Sequence, residues 1–525
     1  MRSRREFLSL SSRTAALCAL GPLQLKEIGA GAFIGDKHIK VGRRSQAISY
    51  ESPFTLGVAS GDPTPDGMVL WTRLLTGIDA TPEMTLPVRW EVADDDTFQN
   101  VVQTGETAAL PQLAHSVHVE IEGLKSGRDY WYRFHAGDAT SPTGRTRTAP
   151  SIQGDIDQFS FVFTSCQHYE RGWYTGFRHM AEESIGLVVH LGDYIYEDGP
   201  GIRTDLVRLH DANETHSLED YRARYTLYKS DPDLQTAHAA FPWVFTPDDH
   251  EVDNDFADNH GEDGTTGKAF LRRRAAAFQA LYEHLPLRST AIPDGPYMKL
   301  YRRLEFGRMM QLHVLDTRQY RTPQPCGGGR AVPCPGQHAE GATILGEDQR
   351  SWLLNNLDRS SARYNILANQ VFMAKLLEGR NRLTLPMDKW DGYPADRQQI
   401  LNVLGKQRPS NPIVITGDQH TNWVNDLKLD FDRPESVTVG TELVGTSISS
   451  SGDGQDMVPQ GNNAMGHNPH IKFFNAQRGY VRCEMTAKRL RADYRVMPYV
   501  TKPNAPISTR ASFIVEDGAP GAQEA

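Results

Sequence analysis

Long hydrophobic runs are missing from this 525-residue sequence: no stretch of about 18 apolar residues is uninterrupted, which argues against a membrane-spanning helix. Basic blocks are missing too, and the formal net charge of −9 argues against a nucleic-acid partner. No internal repeat or long low-complexity segment appears. Cysteine is scarce, with Cys18, Cys166, Cys326, Cys334 and Cys483 making five, so each has to be accounted for singly. What remains has the length for one large domain and a smaller one.

The N-terminus carries an address. Ser3–Arg4–Arg5–Glu6–Phe7–Leu8 resembles the twin-arginine export signal, and a weakly apolar run, Thr14–Leu20, follows it. Residues 1–32 are predicted to be that signal, cleaved near Ala30–Gly31–Ala32, giving a periplasmic or secreted protein with the twin-arginine export machinery as its partner. This route carries folded proteins, often with a cofactor already inserted. Cys18 would leave with the signal. Cys326 and Cys334 flank a Gly/Pro-rich loop, and in an oxidising compartment their spacing allows a short-loop disulfide. Cys483 reads as an inert strand thiol. Cys166, at the end of the apolar strand Phe159–Phe163, is the puzzle: a free thiol in an exported protein.

Residues 50–148 alternate in short runs, such as Val69–Arg73, Val88–Val92 and Val117–Ile121, and Tyr130–Phe134 follows Gly123–Leu124 as in fibronectin-type sandwiches. They predict an N-terminal all-β domain of fibronectin/Ig-like type. After a linker, Thr146–Asp157, residues 158–510 alternate strands with helices. Candidate strands include Leu187–Leu191, Met309–Leu315, Ile366–Ala368 and Ile413–Ile415; candidate helices are Leu218–Tyr228, Ala269–His284 and Gly346–Leu357. A hairpin, Gly479–Met485 with Leu490–Met497, closes the pattern. This is a layered α/β arrangement, in which functional groups gather at carboxyl ends of strands.

Four segments place ligand-type side chains just after such strands: Cys166; Gly192–Asp193–Tyr194–Ile195–Tyr196–Glu197; Asp248–Asp249–His250–Glu251 with Asn254; and Gly417–Asp418–Gln419–His420. Each alone reads as a turn. Together they supply carboxylates, imidazoles, an amide, a phenol and a thiol, a mixture that solvation does not require. Hydrolysis of a phosphate ester explains it. Two metal ions roughly 3.5–4 Å apart neutralise the phosphate and provide hydroxide at neutral pH. One carboxylate must bridge them, and Asp193 is the best placed. Ferric iron takes phenolate, which points to Tyr196, while oxygen donors such as Asp418 and Asn254 suit calcium.

These segments also occur with Phe54–Pro63, Val69–Arg73, Leu315–Arg318, Trp390–Tyr393 and Gly445–Ser451, and in that order over nearly the whole chain they resemble the PhoD-like alkaline phosphatase/phosphodiesterase family. The resemblance implies a layered αββα metallophosphoesterase-type sandwich, related to calcineurin-like and purple acid phosphatases, behind the β domain. It implies iron (Fe3+) and calcium (Ca2+) as cofactors and a phosphate ester as substrate. Carried over, Cys166, Asp193, Tyr196 and His420 hold iron; Asp193, Asn254 and Asp418, with Asp249 contributing, hold calcium. His250 then faces the substrate, as general acid or as phosphate donor. Thr246–Pro247 stand where the family often has Trp. Arg318 and Arg321 are expected in structural pairs. The rival activity is a diesterase on teichoic-acid-like polymers or phospholipid head groups, and the rival class is a secreted calcium-dependent binding protein.

Overall fold

Strand Gln158–Thr164 shows why this chain builds layers. Phe161 and Phe163 point to one face and Val162 to the other, and all three are fully buried, so both faces of its sheet are covered. The structure is a computed structural model describing residues 52–75, 84–201, 206–379, 383–406 and 409–525; the predicted export signal lies outside them.

Two large sheets make the centre. The first has ten strands. Its parallel middle is Gln158–Thr164, Val188–His190 and Pro242–Phe245, and the hairpin Arg478–Thr486/Arg489–Met497 extends it on one side. The second has seven, with Met310–Val314, Tyr364–Asn369, Pro412–Thr416 and Thr438–Val444 parallel in its middle. Their facing sides interlock: Phe161, Phe163, Val189 and Leu191 meet Leu312, Val314, Ile366 and Ile415 in one core. Helices Leu218–Lys229, Pro232–Ala240 and Gly267–His284 cover the outer face of the first sheet through Tyr221, Tyr225, Leu234, Phe278 and Leu281. Gly346–Arg359 and Pro394–Leu404 cover the second through Leu353, Leu357, Ile400 and Leu404. This is the αββα order expected.

The all-β N-terminal segment is present, with one difference in how it is joined. Leu86–Ala93, Val101–Ala109, Asp129–Ala136 and Gly144–Arg147 form a separate sheet. Val58–Thr64, Gly67–Arg73 and Ser116–Ile121 instead continue the first large sheet, Ser60 pairing in parallel with Pro242. A strand edge left unpaired at Pro242–Phe245 would expose a row of backbone groups, and the N-terminal segment satisfies them. Tyr130 makes a tyrosine corner, its hydroxyl accepting the Lys125 N–H at 2.9 Å. The helices Pro232–Ala240 and Pro394–Leu404 have little sequence periodicity to announce them. Each opens on proline at its first turn, and Asp231 caps the former by accepting the N–H groups of Asp233 and Leu234.

Lys229 is buried where the two parts meet, its ammonium 4.1 Å from the Trp71 ring centroid and 3.5 Å from the Tyr194 hydroxyl. Burial pushes its pKa down to about 7. Below that pH the lysine is charged in both folded and unfolded chains, and the full cost of burying the charge is felt. As pH rises towards about 10.4 only the unfolded chain keeps the proton, so stability from this site increases. Lys229→Met is therefore expected to raise the melting temperature by about 2–4 °C near neutral pH, with the gain shrinking by about pH 10. Thermal unfolding at both pH values checks this, and a gain that grows with pH contradicts it.

Candidate metal centre

The parallel middles of the two sheets end together, and the loops that follow their strands converge. Ser165 bridges to Ser447, the Cys166 N–H donates to Gly192 O (3.0 Å), and the Gln167 N–H donates to Asp193 O (3.0 Å). Gly192 has to be glycine, because at its φ of +100° a Cβ would lie 2.4 Å from the Asp248 nitrogen. Cys166, Asp193, Asp418 and His420 all take left-handed φ values, between 55° and 60°. Each costs about 1–2 kcal/mol in an ordinary residue, and such strain collects at functional sites.

The Cys166 thiol, the Asp193 carboxylate and the His420 imidazole each offer a ligand atom, all within 4.8 Å of one another; Asp193, Asp249 and His250 form a second such group. Asp193 belongs to both. The Tyr196 hydroxyl joins the first, donating to Asp193 Oδ2 at 2.9 Å, lying 3.2 Å from His420 Nε2 and accepting from Ser450 Oγ at 2.7 Å. Ser451 Oγ, 2.8 Å from His420 Nδ1, fixes that ring. Asp418 lies close enough to act electrostatically on both Cys166 and Asp193. The Asn254 side-chain amide instead donates to Glu262 Oε1 at 2.8 Å, and its backbone N–H donates to Glu197 Oε1.

Electrostatics explain what this cluster needs. Burial, then neighbouring negative charge, pushes the Cys166 thiol and the Tyr196 phenol well up; burial also pushes up the Asp193 carboxyl, outweighing His250. Burial takes His420 down to about 3, leaving the neutral imidazole that a metal binds. Asp193 Oδ1 is buried with no hydrogen-bond partner, which costs on the order of 3 kcal/mol or more. A cation among these groups reverses each penalty at once, ionising thiol, phenol and carboxyl together. The donor set fits metal ions.

Around it stand residues to which the sequence assigned no role. Glu251 is fully buried and accepts the backbone N–H groups of Asp193 (3.2 Å), Tyr194 (2.5 Å) and Asp248 (2.7 Å), clamping two ligand loops with one carboxylate. Glu197 accepts from His250 Nδ1 at 2.7 Å. Burial works against charge on His250, but Glu197, Asp249 and Asp193 outweigh it and push the imidazole well up, towards the protonated form. Lys389 pairs with Asp418. A carboxylate next to a ligand motif was the available signal for both glutamates; Lys389 left none.

A family model described as PhoD-like phosphatase matches residues 161–494, and one for the PhoD-like phosphatase N-terminal domain matches residues 41–150. The chain belongs to the PhoD-like phosphatase family. It is 46% identical over 521 residues to alkaline phosphatase D of Bacillus subtilis (strain 168), covering 98% of this chain and 87% of that protein. A solved structure of PhoD superposes with a TM-score of 0.88 at 48% identity, over 91% of this chain and 93% of the other. Membership makes the chain a metal-dependent phosphoric ester hydrolase and sets aside the reading of a calcium-dependent binding protein.

Other marked residues of this PhoD-like phosphatase have structural places. Arg318 donates from Nε to Asp248 (2.6 Å) and from Nη1 to Asp388 (2.8 Å), and Arg321 also holds Asp388 (2.6 Å). Trp390 and Tyr393 are core residues, and the Thr246 hydroxyl sews the sheets together by donating to Leu315 O (2.6 Å). Cys326 and Cys334 form a disulfide, while Cys166 and Cys483 are free and buried. Among the described residues no helix is long and apolar enough to cross a membrane.

Proposed function

We propose that this chain is an exported alkaline phosphatase/phosphodiesterase whose side chains around Asp193 would hold Fe3+ and Ca2+ for the hydrolysis of phosphate esters. The observation that carries the reading is that the Asp193 carboxylate lies with the Cys166 thiol and His420 imidazole on one hand and with the Asp249 carboxylate on the other, His250 standing beside the latter pair. Cys166, Asp193, Tyr196 and His420 would hold the iron: phenolate and carboxylate suit a highly charged ion, and thiolate and imidazole are donors that iron also takes. Asp193, Asp249 and Asp418 offer oxygen to calcium, with Asn254 a further ligand through its carbonyl oxygen. In organisation, residues 1–32 are a twin-arginine signal, 50–148 the β domain and 158–510 the catalytic domain. Arg4–Arg5 and the Cys326–Cys334 disulfide support export to an oxidising compartment, periplasmic or extracellular.

When bound, the ions supply neutralisation of the phosphate and a water acidic enough to attack it. The chain's own side chains do the rest. His250, held protonated and aimed by Glu197, delivers a proton to the departing alkoxide oxygen. Glu251 keeps the Asp193 and Asp249 loops in register. No serine or threonine nucleophile is needed.

Incubation with a chelator is expected to remove more than about 99% of activity on an aryl phosphate, restored by iron with calcium; full activity in metal-free protein sinks the proposal. Cys166→Ser is expected to lose iron first, while Cys483→Ser, at a core position paired with Phe161, keeps both iron and activity. Elemental analysis of the two variants decides between them, and equal iron in both removes Cys166 from the ligand set.

A further inference from the structure

Substrate phosphate brings negative charge, and the positive side chains around the centre are unequally available to meet it. Arg318, Arg321 and Arg478 are buried: the first two pair with Asp248 and Asp388, each keeping a buried Nη2 without a hydrogen-bond partner, and the third donates to the carbonyls of His420 and Gly452. Lys389 differs. Its side chain is 14% exposed, against 16% for His250, and its ammonium lies on Asp418. A lysine ammonium is a compact point charge suited to a phosphate oxygen.

The segment bearing Lys389 is built to hold it still. The disulfide-closed loop Cys326–Cys334 pairs through Arg330 and Ala331 with Pro386 and Leu385, and the Met387 N–H donates to Gly329 O at 2.7 Å. Gln324 Nε2 donates to Asp388 Oδ1 (2.8 Å) and Gln337 Nε2 to Asp391 O (2.7 Å). Trp390 is fully buried, its indole N–H donating to Asn369 Oδ1 at 3.0 Å. Lys389 therefore stands between two anchored neighbours, its ammonium held against Asp418 beside the cluster.

We infer that Lys389 reads the charge of the bound phosphate and favours doubly charged monoesters over singly charged diesters. The inference rests on the phosphoesterase reading above. A fixed cation attracts a dianion about twice as strongly as a monoanion at equal distance, so its removal costs the monoester more.

The test compares wild type, Lys389→Gln and Lys389→Arg on a mono-aryl and a bis-aryl phosphate, with metal content and calorimetric binding of inorganic phosphate measured on the same preparations. Lys389→Gln is expected to lower kcat/KM for the monoester about tenfold or more, mainly through KM, and for the diester less than about threefold. Phosphate binding should weaken in parallel at unchanged metal content, and Lys389→Arg should keep most of the preference. Equal losses on both esters, unchanged phosphate affinity, or a loss of metal in Lys389→Gln overturns the inference. Failure of wild type to hydrolyse either ester would instead overturn the phosphoesterase reading, and the phosphate titration still decides Lys389.

Discussion

Asp193→Asn is expected to lower turnover of phosphate esters roughly thousandfold or more and to strip both ions from the purified protein. The magnitude follows from its place in two ligand groups at once. A neutral amide removes the charge that holds both cations, whereas losing Asp249 or Asp418 touches only one side. The substitution is also clean. Asparagine has the same shape and tolerates the left-handed backbone found here, φ 56°, and its amide oxygen still accepts from Tyr196. Circular dichroism should be unchanged while elemental analysis shows the loss. Retained metal with lost activity would mean that Asp193 acts on substrate instead.

His250→Ala is expected to leave both ions bound and lower kcat about 10²–10⁴-fold on esters of alkyl alcohols. Its imidazole is held to Glu197 at 2.7 Å and lies against the Tyr196 ring, 4.1 Å between centroids. A proton matters most to a leaving group that is a strong base. The loss should therefore be much smaller on a nitrophenyl-type phosphate, whose oxygen leaves without help. Rates across a series of leaving groups check this: a uniform loss makes His250 a phosphate-binding group rather than an acid. Glu197→Gln should follow the same pattern with a smaller effect.

Strands were legible because their patterns are local. Phe159–Phe163 and Ile413–Ile415 are short apolar runs between turn residues, and ligand-type residues stood immediately after them. Strand order was less so: that Val58–Thr64 extends the catalytic sheet depends on pairing with Pro242–Trp243, far away in the chain. In the site, chemistry marked Cys166, Asp193, Tyr196, Asp249, His250, Asp418 and His420, and the structure brings these to one end of the sheets. Asn254 shows the limit, since its amide nitrogen goes to Glu262, a partner that no motif names. Supporting groups were hidden for a physical reason. Glu251 works by accepting backbone N–H groups from two loops, and Lys389 by facing Asp418 across 29 residues of chain. Glu251 is marked only by standing beside a ligand motif, and Lys389 by nothing.

The most direct measurement of the central claim is anomalous diffraction from crystals of the purified protein soaked in phosphate, collected on both sides of the iron absorption edge. The account predicts one iron site contacted by Cys166, Asp193, Tyr196 and His420, a second non-iron site sharing Asp193 with Asp249 and Asp418, and phosphate spanning the two beside His250. A single metal site, or two sites that do not share Asp193, would contradict it.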